Sequence, residues 1–305
     1  MSSPACGDHM SSGSPVFAVG RLGYDFVGDA RLDYFAQAIA NWQQRQQHAP
    51  DPGPCADHTA PFQPMIMLSY LLDVDAGGTT SNLADAAALT WTLTVDGVPA
   101  YVIVPGLSTG LSWHRQLTDI LWRQEVSSIA PTAAGPSMAA GQLMQARPTL
   151  ERVAQAGCVD GDVRLFNGAT VPRIVTAGRM QSWDMADLAR PEAADRAMAF
   201  LAPIYRTLKN PGASPQDRAL NYATFRACHT QQMLAPMFDR NMLFDTVTVD
   251  RSTGGAPDAD CWTVTWSFLD PAQTHGDAGE AFQCTVDVSG VVPELVDGLR
   301  QRSVR

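Results

Sequence analysis

The segment from Pro257 to Val288 constrains the fold of this chain more than any other. Apolar residues occupy alternate positions in both of its halves: Trp262, Val264, Trp266 and Phe268 in the first, and Phe282, Cys284, Val286 and Val288 in the second. A period of two places each set on one face of a β-strand. We predict an antiparallel hairpin whose aromatic face is buried by another part of the chain, with Cys261 as an exposed thiol on the opposite face.

Composition argues against several classes of partner. The chain has 305 residues and a formal net charge of −10, and Lys209 is its only lysine. Binding of nucleic acid or of an anionic membrane requires clustered cations, which the sequence lacks. No apolar run reaches the roughly 18 residues of a membrane span, and no signal peptide begins the chain. We expect a cytoplasmic protein with reduced thiols, for which charge alone favours a neutral or basic ligand.

Two further hairpins are indicated by turn dipeptides. Leu89 to Val104 alternates around Asp96-Gly97, and Val163 to Val175 alternates around Asn167-Gly168. Both dipeptides favour the left-handed backbone of a tight hairpin turn. A short buried strand is predicted at residues 16–19, followed by a turn at residues 23–26.

Helices are indicated by apolar residues three or four positions apart. The four predicted helices are Ala30 to Gln44, Trp113 to Val126, Pro191 to Leu208, and Ser214 toward Leu234. Residues 46–64 are predicted to form an exposed loop, and residues 65–74 are compatible with either a helix or a strand. The result is an α+β fold in which antiparallel hairpins are interleaved with helices.

The domain organisation follows from composition. Residues 1–15 are rich in Ser, Gly and Pro and are predicted to form a disordered tail. Residues 16–305 are predicted to form one domain, and the Pro/Gly/Ala connector at residues 130–148 is the one candidate for a subdomain break.

Motifs for catalysis and for metal binding are incomplete. The segment Gly135-Pro-Ser137 resembles the surroundings of a subtilisin-like nucleophile, but no matching Asp or His segment precedes it. A Cys-x-Asp-His spacing occurs at residues 6–9 and again at residues 55–58, and the two pairs together offer the four ligands of a zinc site. Coincidence in polar chain is the simpler explanation of the spacing. We therefore assign no catalytic residue, no metal and no other cofactor.

Acidic pairs occur at Asp73/Asp75 and at Asp258/Asp260. Such pairs serve acid–base chemistry or hold a hard cation, but polar turns beside strands are the simpler interpretation.

Five stretches of the chain follow one another in an informative order. They are Val16-Phe-Ala-Val-Gly-Arg-Leu-Gly-Tyr-Asp-Phe26, Val163-Arg-Leu-Phe-Asn-Gly168 with Val171-Pro172, Ser214-Pro-Gln-Asp-Arg-Ala-Leu-Asn-Tyr-Ala223, Pro257-Asp-Ala-Asp-Cys-Trp262 through Phe268-Leu-Asp-Pro271, and Val286-Asp-Val-Ser-Gly-Val-Val-Pro293. Together they resemble the C-terminal domain of unknown function of the cyanobactin maturation proteins PatG and PatA. A cysteine typical of that family before the last aromatic hairpin is replaced here by Gly254-Gly255, so no thiol pair is implied.

The resemblance implies a role in making ribosomally synthesised, modified peptides, with no catalytic residue to carry over. We predict a stand-alone accessory protein that binds a precursor peptide or a maturation enzyme, by pairing at an exposed strand edge or in a groove. The predicted peptide-binding residues are Arg164, Gln216, Arg218, Asn221, Asp260 and Trp262. For the three on the Ser214 helix, helix capping and a local ion pair are the structural alternative.

Two other functions remain open at this stage. A peptide-modifying enzyme would use Asp258, Asp260, Cys261 and His229, and would need a reactive thiol at Cys261. A purely structural subunit of a maturation complex would need no ligand of its own. Association into a homodimer through an uncovered sheet edge is compatible with each function.

Overall fold

A computed structural model describes residues 13–47, 59–74, 82–106, 110–128, 152–183, 194–204, 210–229, 236–254, 256, 258–271 and 279–304. Several predicted features lie outside these residues: residues 1–12 of the tail, Ser137, the Cys-x-Asp-His pairs, Asp75 and the 130–148 connector. The predictions that rest on them stay predictions.

The first part of the structure is a five-stranded closed barrel. Its strands are β1 (Pro15–Asp25), β2 (Thr90–Val95), β3 (Val98–Pro105), β4 (Arg152–Arg164) and β5 (Thr170–Trp183). Around the barrel their order is β1-β2-β3-β5-β4. All neighbours are antiparallel except β3 and β5, which run parallel. Closure leaves no strand of this sheet with an unpaired side.

Three helices accompany the barrel: α1 (Asp29–Gln47), α2 (Pro64–Leu71) and α3 (Gly110–Ser128). Short 3₁₀ segments lie at Ala60–Phe62 and Leu83–Ala88. Their apolar residues form one buried cluster with residues of the barrel strands, including Val16, Ala18 and Trp91. The ambiguous segment at residues 65–74 is therefore mainly helical, and the predicted 46–64 loop contains a 3₁₀ turn.

The second part is an open four-stranded antiparallel sheet. It contains β6 (Leu243–Arg251), β7 (Cys261–Leu269), β8 (Gly279–Asp287) and β9 (Glu294–Val304), in that order. Helices α4 (Ala194–Ala202) and α5 (Pro215–His229) pack against it. Of the helix predicted at residues 191–208, the described residues form an α-helix that ends at Ala202.

The hairpin predicted from Pro257 to Val288 is confirmed as β7 and β8. Trp266 pairs with Phe282 and Val264 pairs with Cys284 across the two strands. Val264, Trp266 and Phe268 are each 0% exposed, whereas Trp262 is half-buried. Phe268 packs against Phe200 of α4, with ring centroids 5.9 Å apart. The α+β class is thus confirmed, and α4 and α5 are the elements that bury the aromatic face.

The predicted Asp96-Gly97 hairpin is also confirmed. The dipeptide alone connects β2 to β3, and both residues have positive φ angles, of 51° and 76°. The Asn167-Gly168 dipeptide likewise lies in the β4–β5 turn, although that connection spans residues 165–169.

The first strand differs most from its prediction. β1 continues through Gly20 and Gly23 to Asp25, so the expected 23–26 turn is wrong and the chain turns after Asp25. Gly20 permits this because β2 passes very close to it: a Cβ there would lie 2.2 Å from the carbonyl oxygen of Thr94. The glycine therefore allows close strand approach in a barrel rather than ending the strand.

Among the described residues, no helix combines the length and the apolar character needed to cross a membrane.

We predict that Phe268→Ala lowers the free energy of unfolding by about 3–5 kcal/mol, because it opens a cavity in the aromatic core. Thr265→Ala is the matched control: it lies on the opposite face of β7 and should cost about 1 kcal/mol or less. Urea denaturation of both variants measures the difference. Equal losses would contradict the burial of the aromatic row.

Candidate functional site

Arg218 of α5 is a buried cation held by main-chain carbonyls. Its side chain is in a residue only 3% exposed. Its guanidinium donates to the carbonyl oxygens of Val288 (2.7 Å), Val291 (3.2 Å) and Gly290. Burial lowers the pKa of Arg218, while Cys158, Asp260 and Asp287 act in the opposite direction. The side chain thus joins α5 to the loop between β8 and β9.

Asn221 lies one turn further along α5 and is fully buried. Its Nδ2 donates to the carbonyl oxygen of Phe17 in β1, at 3.0 Å. The amide of Phe17 in turn donates to the carbonyl oxygen of Gly212. Gly212 has a φ of +75°, and a Cβ there would lie 2.0 Å from the carbonyl oxygen of Phe17, so only glycine fits. Asn221 and the 210–214 loop therefore fix α5 against the barrel.

Asp260 and Trp262 lie together at the start of β7. The indole Nε1 of Trp262 donates to Oδ1 of Asp260 at 3.0 Å, and Arg251 of β6 approaches the same oxygen at 3.7 Å. The amide of Asp260 donates to the Ser289 hydroxyl at 2.7 Å. Trp262 and Arg251 are also cross-strand partners, so this polar group borders the outer strand of the sheet.

The six predicted binding residues therefore do not form one surface. Arg218, Asp260 and Trp262 lie near one another, but Arg218 and Asn221 are buried and bonded to the chain itself. Gln216 is exposed on the first turn of α5. Arg164 is exposed at the far end of β4. It lies six residues, or about 20 Å of extended strand, beyond Cys158, which is close enough to Arg218 to influence its pKa. Peptide binding by any of them stays a prediction.

The expectation of an exposed thiol at Cys261 is wrong. The residue does lie on the face opposite the aromatic row, but it is only 3% exposed. Strands flank it on both sides, with Ser252 donating to its carbonyl oxygen and Asp287 as its partner in β8. Burial raises the pKa of Cys261, and the nearby carboxylates of Asp287 and Asp260 raise it further.

The remaining described groups near Cys261 do not supply a reactive thiol in its place. Asp258 is exposed, and the side chain of His229 lies outside the described residues. Burial raises the pKa of Cys284 to about 12. Nucleophilic cysteines need the opposite environment, one that stabilises the thiolate.

Metal ligands are not gathered in the described ranges. No group of three or more His, Cys, Asp or Glu side chains there could hold a metal ion. Asp73, from one of the acidic pairs, accepts a hydrogen bond from Gln46 at 3.1 Å.

Two surface clefts occur elsewhere. One, of about 310 Å³, lies between α1 and α2 beside Trp42 and Met65, and the other, of about 420 Å³, lies along α3 beside Arg115 and Arg123. Neither contains a residue predicted to bind peptide.

The margins of the open sheet are the feature that matches the predicted mode of binding. Within the described part of the chain, no strand pairs with the outer side of β6 or of β9. The two margins differ, because β9 is irregular at two positions and carries Gly298, Arg300 and Arg302. Bulges, glycine and exposed cations are devices that protect an edge from pairing. β6 is regular from Thr246 to Arg251.

The main-chain groups of three β6 residues point away from the sheet. The amide of Ser252 donates to the carbonyl oxygen of Cys261 at 2.8 Å, which fixes the hydrogen-bonding phase of the ladder. Main-chain groups alternate between the two sides of an antiparallel strand, so every second residue back from Ser252 bonds to β7. The residues between them, Val247, Val249 and Arg251, present their N–H and C=O groups at the margin. The sequence pattern of β6 carried no signal for this exposure.

We predict that Arg218→Lys lowers the free energy of unfolding by about 2–3 kcal/mol, because an ammonium group cannot serve three carbonyls as the guanidinium fork does. Hydrogen exchange should also become faster at the amide of Val288, which donates to Asp260. Gln216→Ala, on the exposed first turn of the same helix, is the control and should change stability by about 0.5 kcal/mol or less. An unchanged free energy of unfolding for Arg218→Lys would show that the hydrogen bonds from Arg218 to the loop between β8 and β9 do not stabilise the fold.

We predict that Cys261 reacts with iodoacetamide at least about tenfold more slowly in the folded protein than in urea, because only the thiolate reacts and its formation is disfavoured here. Asp287→Asn should lower the pKa of the thiol and increase its rate. Mass spectrometry of the labelled peptide over a range of pH measures both effects. Labelling of the folded protein as fast as of the unfolded chain would restore the enzyme hypothesis.

Comparison with known proteins supports the resemblance predicted above. Residues 188–301, from before α4 into β9, match the family model described as PatG C-terminal. A solved structure described as a PatG domain of unknown function matches 96% of this chain and 100% of its own, with a TM-score of 0.68 and 23% sequence identity. No curated protein matches the chain. The match to the PatG C-terminal family is thus shown for residues 188–301, and the fold of the chain is that of a PatG domain.

Proposed function

We propose that this protein is an accessory protein that binds an extended peptide in a pathway for ribosomally made, modified peptides of the cyanobactin type. The observation that carries the proposal is the margin of β6, which is regular from Thr246 to Arg251 and pairs with no strand in the described part of the chain. The match to PatG over residues 188–301 supports the pathway, and that part of the chain contains α4, α5, β6, β7, β8 and most of β9.

Main-chain pairing explains how such a protein can act without catalytic groups. An extended peptide added to β6 would bond to the outward N–H and C=O groups of Val247, Val249 and Arg251. These bonds require no titratable side chain at the site. The ligand is a precursor peptide in this proposal. Docking of a maturation enzyme through the same margin, and association of two copies, remain predictions of the sequence.

The half-buried indole of Trp262 provides a direct signal for binding. It lies beside Arg251, one of the residues with outward main-chain groups. A precursor peptide pairing with β6 should therefore change the fluorescence of Trp262. The same titration with Trp262→Phe should lose that part of the change.

We predict that Val249→Pro abolishes precursor binding but leaves the protein folded. The amide of Val249 faces the margin, so proline removes a donor that only a guest would use, and edge strands tolerate proline at such positions. Calorimetric titration of the variant with a precursor peptide measures the loss of binding.

Two variants control for other effects of the proline. Thr248→Pro removes an amide that bonds to β7, and should destabilise the sheet instead. Val249→Ala loses the same half-buried side chain but keeps the amide, and should retain most of the affinity. No binding of precursor peptides by the unmodified protein, or equal binding by Val249→Pro, would refute the proposed function.

A further inference from the structure

We infer that the β6 margin selects an extended segment of about five residues, with lysine or arginine on one face and apolar side chains on the other. This inference rests on the proposed function and adds the chemistry of its ligand.

The length follows from the hydrogen-bonding pattern of β6. Three residues, Val247, Val249 and Arg251, offer outward groups in regular register, and they span four residue steps. The ladder is irregular between Phe244 and Thr246, which ends the regular pairing on one side, and the strand ends at Arg251 on the other. A guest that pairs with all three residues therefore needs about five residues, or roughly 17 Å of extended chain.

The apolar preference follows from the inner face of β6. Val247 and Val249 are half-buried and pack against the core cluster that contains Val264 and Trp266. A guest residue directly opposite either valine would place its Cβ about 5 Å away on the same face. An apolar side chain there would extend the covered surface, whereas a charged one would lose water without gaining a partner.

The basic preference follows from the outer face and its surroundings. Asp250 is exposed on that face, in the row of Thr263 and Thr285, and Asp245 is exposed where the strand begins. Asp258 and Asp260 lie just beyond the other end.

The nearby described arginines offset one of these carboxylates, Asp260, and form no ion pair with Asp245, Asp250 or Asp258. Arg240 is bound by both oxygens of Glu280, each at 2.7 Å, and Arg251 lies 3.7 Å from Asp260. The margin is therefore acidic, in keeping with the formal net charge of −10 for the whole chain. Cations on the outward-facing positions of a guest would meet complementary charge, with an effect that salt screens.

Three capped hexapeptides test this selection: acetyl-(Lys-Val)₃-amide, acetyl-(Thr-Val)₃-amide and acetyl-(Glu-Val)₃-amide. The full-length protein should bind the lysine peptide about tenfold more tightly than the glutamate peptide, with the threonine peptide between them. The ratio of the affinity for the lysine peptide to that for the glutamate peptide should fall at high salt and in the double variant Asp245→Asn, Asp250→Asn. Glu294→Gln, which removes an exposed carboxylate from β9, is the control and should leave the ratio unchanged. Val249→Pro should weaken binding of all three peptides.

The outcomes separate the inference from the proposed function. Equal affinities for lysine and glutamate peptides, both lost in Val249→Pro, would overturn the charge selection and support the margin as the site. Tight binding of the lysine peptide that Val249→Pro leaves intact would overturn the assignment to β6. Binding of precursor peptide without any binding of the hexapeptides would overturn the inferred ligand and leave the proposed function standing.

Discussion

The rest of the structure depends on how helix α5 is held between the barrel and the open sheet. Apolar packing alone is non-directional, and it would let a helix between two layers slide or rotate. Asn221 bonds to β1 and Arg218 bonds to the loop after β8, so two buried polar side chains fix the helix to both layers. Breaking such contacts leaves buried carbonyls without a donor, which makes the arrangement specific as well as stable.

Strand β1 shows how one element can serve both layers. Val16 and Ala18 belong to the cluster with α1, α2 and α3, while Phe17 and Val19 belong to the cluster with α4, α5 and the open sheet. Because neighbouring residues of a strand face opposite sides, one strand can close the barrel and also form the base on which α5 lies. The outer face of β1 thereby gives the helices and the open sheet a packing surface, and the open sheet need not close into a barrel of its own.

Sequence patterns predicted the elements that carry their own signal. The aromatic alternation around Trp266 and the Asp96-Gly97 turn both specify local geometry, and both were confirmed. The length of β4 could not be read in this way, because its first half is made of small and polar residues that are suited to close packing against a partner strand. Gly157 shows this, since a Cβ there would lie 2.4 Å from a carbonyl oxygen of β5. Burial of Arg218 was equally hidden, because a polar helix turn looks the same whether it faces water or three carbonyls.

The two margins of the open sheet belong to one sheet with one core, so the differences between β6 and β9 are properties of the edge strands and not of the core. β9 carries the glycine, the irregular register and the arginines that discourage any strand from pairing. β6 keeps a regular ladder from Thr246 to Arg251 and half-buried valines, which would favour self-association if the strand were uncharged. Its aspartates work against that hazard, because two β6 strands brought edge to edge would bring the carboxylates of both copies near one another, an unfavourable interaction that salt screens. If the proposed function holds, the carboxylates that disfavour pairing of β6 with a second copy are the same groups that would favour a cationic guest.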